Sequence, residues 1–229
     1  MKAKDYNKAK DIYLDLTNRF PQGAHFDQAI YKIGMIYAYA LRDITACRSY
    51  LAKLAEKEAV SPEVISGLYQ LGLFSQWSND LSAAKDYYNK LVELSKDGFA
   101  EKVALAQERL AEINNLKPLD YNIKIFLDAS LKQENSGFDM SKLDLSSTPC
   151  SLKSNQPVNL SAAAYAGETG CMRQDLQYLW SGDLGGIKPG TSTTEFEAKY
   201  AQPGVKLACL IVVSPSGIID RNFEFIDVL

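Results

Sequence analysis

The chain has 229 residues, with 25 Lys and Arg against 28 Asp and Glu, a formal charge of -3 and a pI near 5.3. That balance gives no reason to expect a nucleic-acid partner, because binding to phosphates needs clustered Lys and Arg. That length is enough for one large domain or two ordinary ones, a hydrophobic content of 46% supports a real core, and no apolar run approaches the ~20 residues of a membrane span.

Met1-Lys2-Ala3-Lys4 is not followed by a signal-like apolar stretch. Asp5 to Arg19 reads as the second helix of a hairpin whose first helix is missing. The expectation is therefore an excerpt, with a signal peptide and further repeats upstream. Helices are predicted at 26–40, 43–58, 62–78 and 80–96, with Pro62 and Glu63 opening the third. Asp97-Gly98 closes the last hairpin. Phe99 to Asn115, apolar at Val103, Ala106, Leu110 and Ile113, has the spacing of one more amphipathic helix, read as a cap on the array.

A short pattern recurs along this half: Ala9 to Tyr13, Ala46 to Tyr50 and Ala84 to Tyr88, in steps of 37 (Ala9 to Ala46) and 38 (Ala46 to Ala84). Ile33-Gly34 and Leu71-Gly72 keep a step of 38. Residues i and i+4 share a helix face, so each unit sets a small residue, where another helix can come close, beside a large aromatic. One hairpin cannot bury that face alone, whereas stacked hairpins can.

These residues, with Tyr37 after Ile33-Gly34, resemble the tetratricopeptide family. Arg19-Phe20-Pro21-Gln22-Gly23 followed by Ala29-Ile30-Tyr31-Lys32-Ile33-Gly34 looks like its long-repeat subgroup from bacterial envelope proteins. Ser75 departs from the pattern by standing where Tyr37 stands one repeat earlier, and the period exceeds the family's usual ~34 residues. The resemblance implies an α-solenoid whose concave groove is lined by Gln28, Tyr31, Met35 and Tyr39, then by Tyr69, Leu73, Gln76 and Trp77. Tyr31/Tyr69 and Tyr39/Trp77 are each 38 apart, so two aromatic ladders would cross the groove. Such side chains suit a peptide or a partner helix. The competing reading packs them between helices or against a missing upstream repeat.

At Asn114-Asn115-Leu116-Lys117-Pro118 the helical period stops, dividing the chain into expected domains 1–116 and 117–229. Strands are predicted at 121–132, 142–147, 156–165, 175–182, 193–200, 204–213 and 218–228, with a loop at 133–141. Seven short strands with turn signals between them point to a two-sheet antiparallel sandwich. Gln156 to Ala162, Tyr178-Leu179-Trp180-Ser181-Gly182-Asp183 and Tyr200 to Leu207 resemble the polycystic-kidney-disease-type branch of immunoglobulin-like domains. In the strand after Gly204, the expectation places Val205, Leu207, Cys209, Ile211 and Val213 on the sandwich core. Ala208, Leu210 and Val212 then form an apolar outer face that the cap helix or a partner chain should cover.

Cys47 and Cys209 read as small core residues. Cys150 and Cys171, both in loop-like sequence, are the candidate disulfide, which an extracytoplasmic setting favours. In a regular sandwich they would lie near opposite ends of the second strand, whereas a bond needs Cα atoms within ~7 Å, so the free and paired states both stay open. His25, the single histidine, sits in an inter-helix turn without obvious partners for base catalysis. No Cys-x2-Cys, His-Glu-x2-His or phosphate-cradling loop is present. Gly182-Asp183-Leu184-Gly185-Gly186 offers one carboxylate, too few for a calcium turn. Neither a catalytic residue, a metal nor a cofactor is expected.

The expectation from sequence is thus a non-enzymatic, two-domain interaction scaffold, α plus β. A protein or peptide would occupy the repeat groove, and the two resemblances imply a periplasmic or extracellular place in a bacterial envelope. The runner-up is a cell-surface structural or glycan-binding protein whose sandwich does the recognising.

Overall fold

In the computed structural model, which describes residues 5–95, 98–132, 145–148, 151–162, 176–183, 194–215 and 217–229, seven helices precede seven strands among the described residues. The chain divides into two units, Met1–Leu119 and Asp120–Leu229.

The first unit holds α1 (Tyr6–Arg19), α2 (Phe26–Tyr39), α3 (Ile44–Ala55), α4 (Pro62–Trp77), α5 (Leu81–Leu94) and α6 (Ala100–Asn114). Every second helix opens on the same device. The carboxylates of Asp5, Asp43 and Asp80 accept from the backbone N–H of Lys8, Ala46 and Ala83 at 2.9, 2.9 and 3.1 Å. Such a cap satisfies an amide that the helix leaves unpaired and is worth ~1 kcal/mol. Ser61 does the same for α4, accepting from Val64 N at 3.2 Å, with Pro62 in the first turn.

Counting from the caps fixes the register of the repeat. Four, eight and eleven residues beyond Asp43 stand Cys47, Leu51 and Leu54. The same steps beyond Asp80 give Ala84, Tyr88 and Leu91, and all six are fully buried. The expected pair Ala46/Tyr50 is therefore one residue out of register, and Tyr50 is only half-buried. The cause is the turn before it. Asp43 N donates to Tyr37 O across six residues (43 minus 37), whereas Asp80 N donates to Ser75 O across five (80 minus 75). The first hairpin turn is one residue longer, and each turn passes through a left-handed residue just before the cap, Arg42 or Asn79.

The helices come close where the glycines are. A Cβ on Gly72 would stand 2.4 Å from Tyr88 Cε1, and one on Gly34 would stand 3.0 Å from Leu51 Cδ2. Each helix packs on its sequence neighbours, and α2, α4 and α6 also touch in succession. Across the connections, Asp27 in α2 pairs with Lys57 and accepts from Ser61 Oγ at 2.9 Å, while Lys90 of α5 donates to Ala55 O at 2.8 Å. The helix read as a cap is α6, packed on α5 and α4. Its inward stripe is Lys102, Ala106, Arg109 and Ile113; Val103 and Leu110 are only half-buried.

The second unit begins with a correction. The strand expected at 121–132 is a helix, α7 (Tyr121–Leu131). Asp120 caps it by accepting from Asn122 N and Ile123 N at 3.1 and 3.2 Å. Asp128 then pairs with Lys124 at 2.6 Å and Lys132 at 3.2 Å, both at the four-residue spacing that stabilises helices. The strands are β1 (Leu145–Thr148), β2 (Ser151–Leu152), β3 (Pro157–Ala162), β4 (Gln177–Gly182), β5 (Glu195–Lys199), β6 (Gly204–Ser214) and β7 (Gly217–Val228). They form two sheets, ordered β1-β3-β5 and β2-β7-β6-β4. The two-residue β2, which the sequence pattern did not reveal, pairs parallel to β7, so this sheet is mixed and not purely antiparallel.

The faces of β6 are the reverse of those expected. Ala208, Leu210 and Val212 join Leu145, Val158, Leu160, Trp180 and Ile226 in the core shared by the two sheets. On the opposite face Ile211 and Leu179 pack with Ala129, and Ile125, Val213 and Ile218 lie against them. The covering helix is α7, not the cap helix of the first unit. Arg221 Nε donates to Ala129 O at 3.0 Å, and Asn122 Nδ2 to Trp180 O at 3.1 Å, holding the helix on the sheet. Gly182 has φ of 97°, and its neighbour Asp183 accepts from Leu207 N at 3.0 Å, so that carboxylate secures the end of β4. The loop expected at 133–141 lies outside the described residues.

The glycine contacts differ in a way stability can read. At Gly72 an added methyl meets a rigid ring, and overpacking costs about 1–3 kcal/mol. At Gly34 it meets the movable tip of a leucine, and the roughly 1 kcal/mol that Ala gains over Gly in a helix offsets the strain. Because that helix gain is common to both sites, urea denaturation should show Gly72→Ala about 2 kcal/mol less stable than Gly34→Ala, and Gly34→Ala within about 1 kcal/mol of the parent. Equal losses would contradict the packing described.

Candidate functional site

The groove reading requires exposed side chains, and most of its residues are inside. Tyr31, Met35, Tyr39, Tyr69, Leu73 and Gln76 are buried, the most open being Gln76 at 7%. Gln28 and Trp77 are half-buried, and Gln28 Oε1 stands 3.2 Å from Nδ1 of the exposed His25. The competing reading accounts for several of them. Tyr39 OH donates to Gln70 Oε1 at 2.9 Å, and its ring lies edge-on to Phe74 with centroids 6.0 Å apart. Three of the four ladder rings, Tyr31, Tyr69 and Tyr39, are buried in the helix packing, and Trp77 is half-buried.

Tyr69 and Gln76 instead join a polar network where α4, α5 and α6 meet. Tyr88 OH donates to Gln76 Oε1 at 3.0 Å, and Gln76 Nε2 donates to Glu112 Oε2 at 3.1 Å. Glu112 pairs with Arg109 at 2.9 Å, both largely enclosed. The Tyr69 ring lies 6.0 Å from that of Tyr88 and has Lys102 Nζ 4.9 Å from its centroid. Lys102, Arg109 and Glu112 were missed as contributors, although the signal was there. Lys102, Ala106, Arg109 and Ile113 follow one another in steps of four, three and four, so two cations occupy a core stripe.

Burial first, then the neighbouring Tyr69, drives the Tyr88 phenol well above its ordinary value, with Arg109 pulling the other way and Glu112 adding to the rise. Burial likewise raises the Cys47 thiol, Arg48 opposing and Asp43 reinforcing. Both groups stay protonated where they are packed. The expected core placement of Cys47 and Cys209 agrees with the structure, which has both as buried free thiols. Cys150 and Cys171 lie outside the described residues. Among the described residues, no group of three or more His, Cys, Asp or Glu is placed to hold a metal ion, and no helix is long and apolar enough to cross a membrane.

A different aromatic group reaches the surface. Tyr37 of α2 and Tyr50 of α3 stack at 5.5 Å between centroids with planes 14° apart, and both rings are half-buried. Lys10 of α1 stands 5.8 Å from the Tyr37 centroid, and Lys53 4.6 Å from that of Tyr50. The out-of-register Tyr50 is thus placed to stack outside the core. Partial burial raises its phenol, the nearby Tyr37 adds to the rise, and Lys10 opposes it. Two rigid rings flanked by two cations present apolar area and positive charge together, the chemistry that favours aromatic and acidic groups of a partner.

No family model matches the chain, and no curated protein matches it. Among solved structures it is similar to one described as the structural basis for the promiscuous specificity of carbohydrate-binding modules from the β-sandwich superfamily. The identity is 21% and the TM-score 0.30, over 38% of this chain and 33% of that one. This chain therefore matches about a third of that protein's length.

The buried phenol and thiol predict alkaline sensitivity with a definite sign. In the unfolded chain Cys47 is half ionised near pH 9.0 and Tyr88 near pH 10.0, while burial keeps both protons on in the folded chain. Stability is fully present below that range and falls as pH rises through it, by up to about 1.4 kcal/mol per pH unit for each group. Denaturation curves should show Cys47→Ala flattening the earlier part of the fall and Tyr88→Phe the later. Slopes unchanged in both variants would mean that neither proton is held.

Proposed function

We propose that the chain is a non-enzymatic protein-interaction scaffold of a bacterial envelope, a tetratricopeptide-like helical solenoid joined to an immunoglobulin-like β-sandwich. The solenoid reading is supported by the caps Asp5, Asp43 and Asp80, spaced 38 and 37 apart, and by the glycines 38 apart that let consecutive helices touch. The sandwich reading is supported by the core that both sheets share. The observation that carries the function is the Tyr37/Tyr50 stack between Lys10 and Lys53, a half-open aromatic pair on rigid helices. It takes the place of the groove, six of whose eight residues are buried. The partner it suits is a protein with an acidic or aromatic segment.

The test is affinity capture from the source cell's extract with the parent chain beside Tyr37→Ala/Tyr50→Ala, the two having matched thermal melts. Loss of a hot-spot pair costs about 2 kcal/mol or more, roughly 30-fold in affinity, so one retained protein should disappear. Equal retention by both chains would move recognition away from the stack. A chain that captures no protein but binds on a glycan array through residues 120–229 would favour the glycan-binding alternative.

An envelope location would favour a disulfide between Cys150 and Cys171, both outside the described residues. Thiol titration of the native chain should detect neither Cys47 nor Cys209, and denaturation without reductant should release two of the four cysteines. Release of all four would argue for a reducing compartment.

A further inference from the structure

The Tyr37/Tyr50 stack belongs to a frame that the chain builds twice. In the first frame Lys10 lies five residues beyond the Asp5 cap, and Tyr50 and Lys53 lie seven and ten beyond Asp43. The second frame repeats these steps one helix later, with Arg48 five beyond Asp43, and Tyr87 and Lys90 seven and ten beyond Asp80. The residue beneath each frame is equivalent as well, because Tyr37 O accepts from Asp43 N and Ser75 O accepts from Asp80 N. At that residue the two frames part, one having a tyrosine and the other a serine.

In the first frame the Tyr37 ring stacks on Tyr50. In the second, Tyr87 is half-buried and has no ring contact among the described residues. Ser75, 1% exposed, keeps a buried Oγ that makes no hydrogen bond. The cations bridge the two helices through neutral groups, Arg48 donating to Ser78 Oγ at 3.4 Å and Lys90 to Ala55 O at 2.8 Å, and neither has a carboxylate partner among the described residues. The second frame thus keeps its cations and one ring and lacks the ring that stacks. Nothing about the ends of the array makes it so, because a hairpin added before α1 or after α6 extends the stack along its axis.

We propose that the junction of α3 and α5 is a docking site for a tyrosine in an acidic segment of a partner protein. Its ring stacks on Tyr87 as Tyr37 stacks on Tyr50, and its flanking carboxylates meet Arg48 and Lys90. A ring entering from outside points its tip toward Ser75, so a phenol hydroxyl supplies the hydrogen bond that the serine lacks. The charge argues for a partner, since no two acidic residues are adjacent anywhere in the chain, and neither it nor a second copy offers a run of carboxylates. A polyanionic glycan would meet the cations but has no ring to lay on Tyr87. The inference rests on the scaffold reading only in taking the partner to be a protein; its site is separate from the Tyr37/Tyr50 stack.

The probe is a synthetic peptide with one tyrosine between two pairs of glutamates, titrated into the full chain and followed by NMR. The expected result is saturable one-to-one binding with shift changes at Arg48, Tyr87 and Lys90. Phenylalanine in place of the peptide's tyrosine should weaken binding roughly threefold and alanine about tenfold or more, readouts independent of the protein's folding. Ser75→Tyr supplies the missing ring within the chain and should abolish binding; Tyr87→Ala, a half-exposed change, should do the same should the first variant melt early. Tyr37→Ala/Tyr50→Ala should leave the peptide's affinity unchanged, which separates this site from the stack. The proposal is overturned by an absence of saturable binding, by equal binding of the alanine peptide, or by parental affinity in Tyr87→Ala. Equal binding of a polyuronate of matched charge would overturn it by showing that the cations act alone. Dimerisation of the chain that Tyr87→Ala abolishes would also overturn it, by making a second copy the occupant.

Discussion

The contact of Gly72 with the Tyr88 ring governs how the first unit is put together. With no side chain at Gly72, α4 and α5 approach until ring and backbone touch, and a Cβ there would stand well inside van der Waals contact. That approach brings the Tyr88 hydroxyl to Gln76, and Gln76 in turn reaches Glu112 of the next helix. One glycine therefore sets the spacing within a hairpin and, through a chain of hydrogen bonds, the placement of the helix after it. The Gly34 contact with Leu51 is looser and carries no such chain, because leucine has no group to pass on.

The ion pair of Arg109 and Glu112 makes sense within this network. Enclosing two charges costs desolvation energy that their attraction only roughly repays, so the pair adds little net stability by itself. Its effect is on alternatives. A slip of α6 along α4 would separate Glu112 from Gln76 and leave enclosed polar groups unmatched, at about 1–3 kcal/mol each. The same logic explains why Gln76 is unavailable to a ligand groove. Side chains whose polar atoms hold helices in register cannot be given to a partner without loosening the stack.

Legibility differed between the two units for identifiable reasons. Helix positions in the first half followed from the 3–4 spacing of apolar residues and from Pro62, and the glycine step of 38 was read correctly. The register of α3 was not, because Ala46 and Tyr50 imitate a pattern whose true members are Cys47 and Leu51. Capping aspartates were the better ruler, since a cap is fixed by a hydrogen bond and tolerates few residue types. In the second unit Ile123, Ile125 and Leu127 alternate like a strand, yet Asp120 and the spacing of Lys124, Asp128 and Lys132 specify helix α7. Two-residue β2 is too short for any periodicity to mark. The surface pair was hidden for a further reason: Tyr37 and Tyr50 become neighbours only when α2 and α3 fold back on each other across a turn of unusual length.

β6 shows what composition alone can and cannot specify. A strand apolar on both faces must be covered twice, and that requirement was visible in Val205 to Val213. Which residues face which layer was not, because alternation is symmetric and a strand reads equally well either way up. The asymmetry comes from neighbouring strands. Trp180 on β4 pairs with Leu210, and the large ring belongs where two sheets meet, so Leu210 turns with it. Leu179 then points the other way beside Ile211, onto a face where a sheet layer is absent and a helix must serve. The apolar side of α7, its Ile125 and Ala129, is complementary to that need. Once Trp180 commits to the shared core, the helical state of residues 121–131 follows from the cover that Leu179 and Ile211 require as much as from the Asp120 cap.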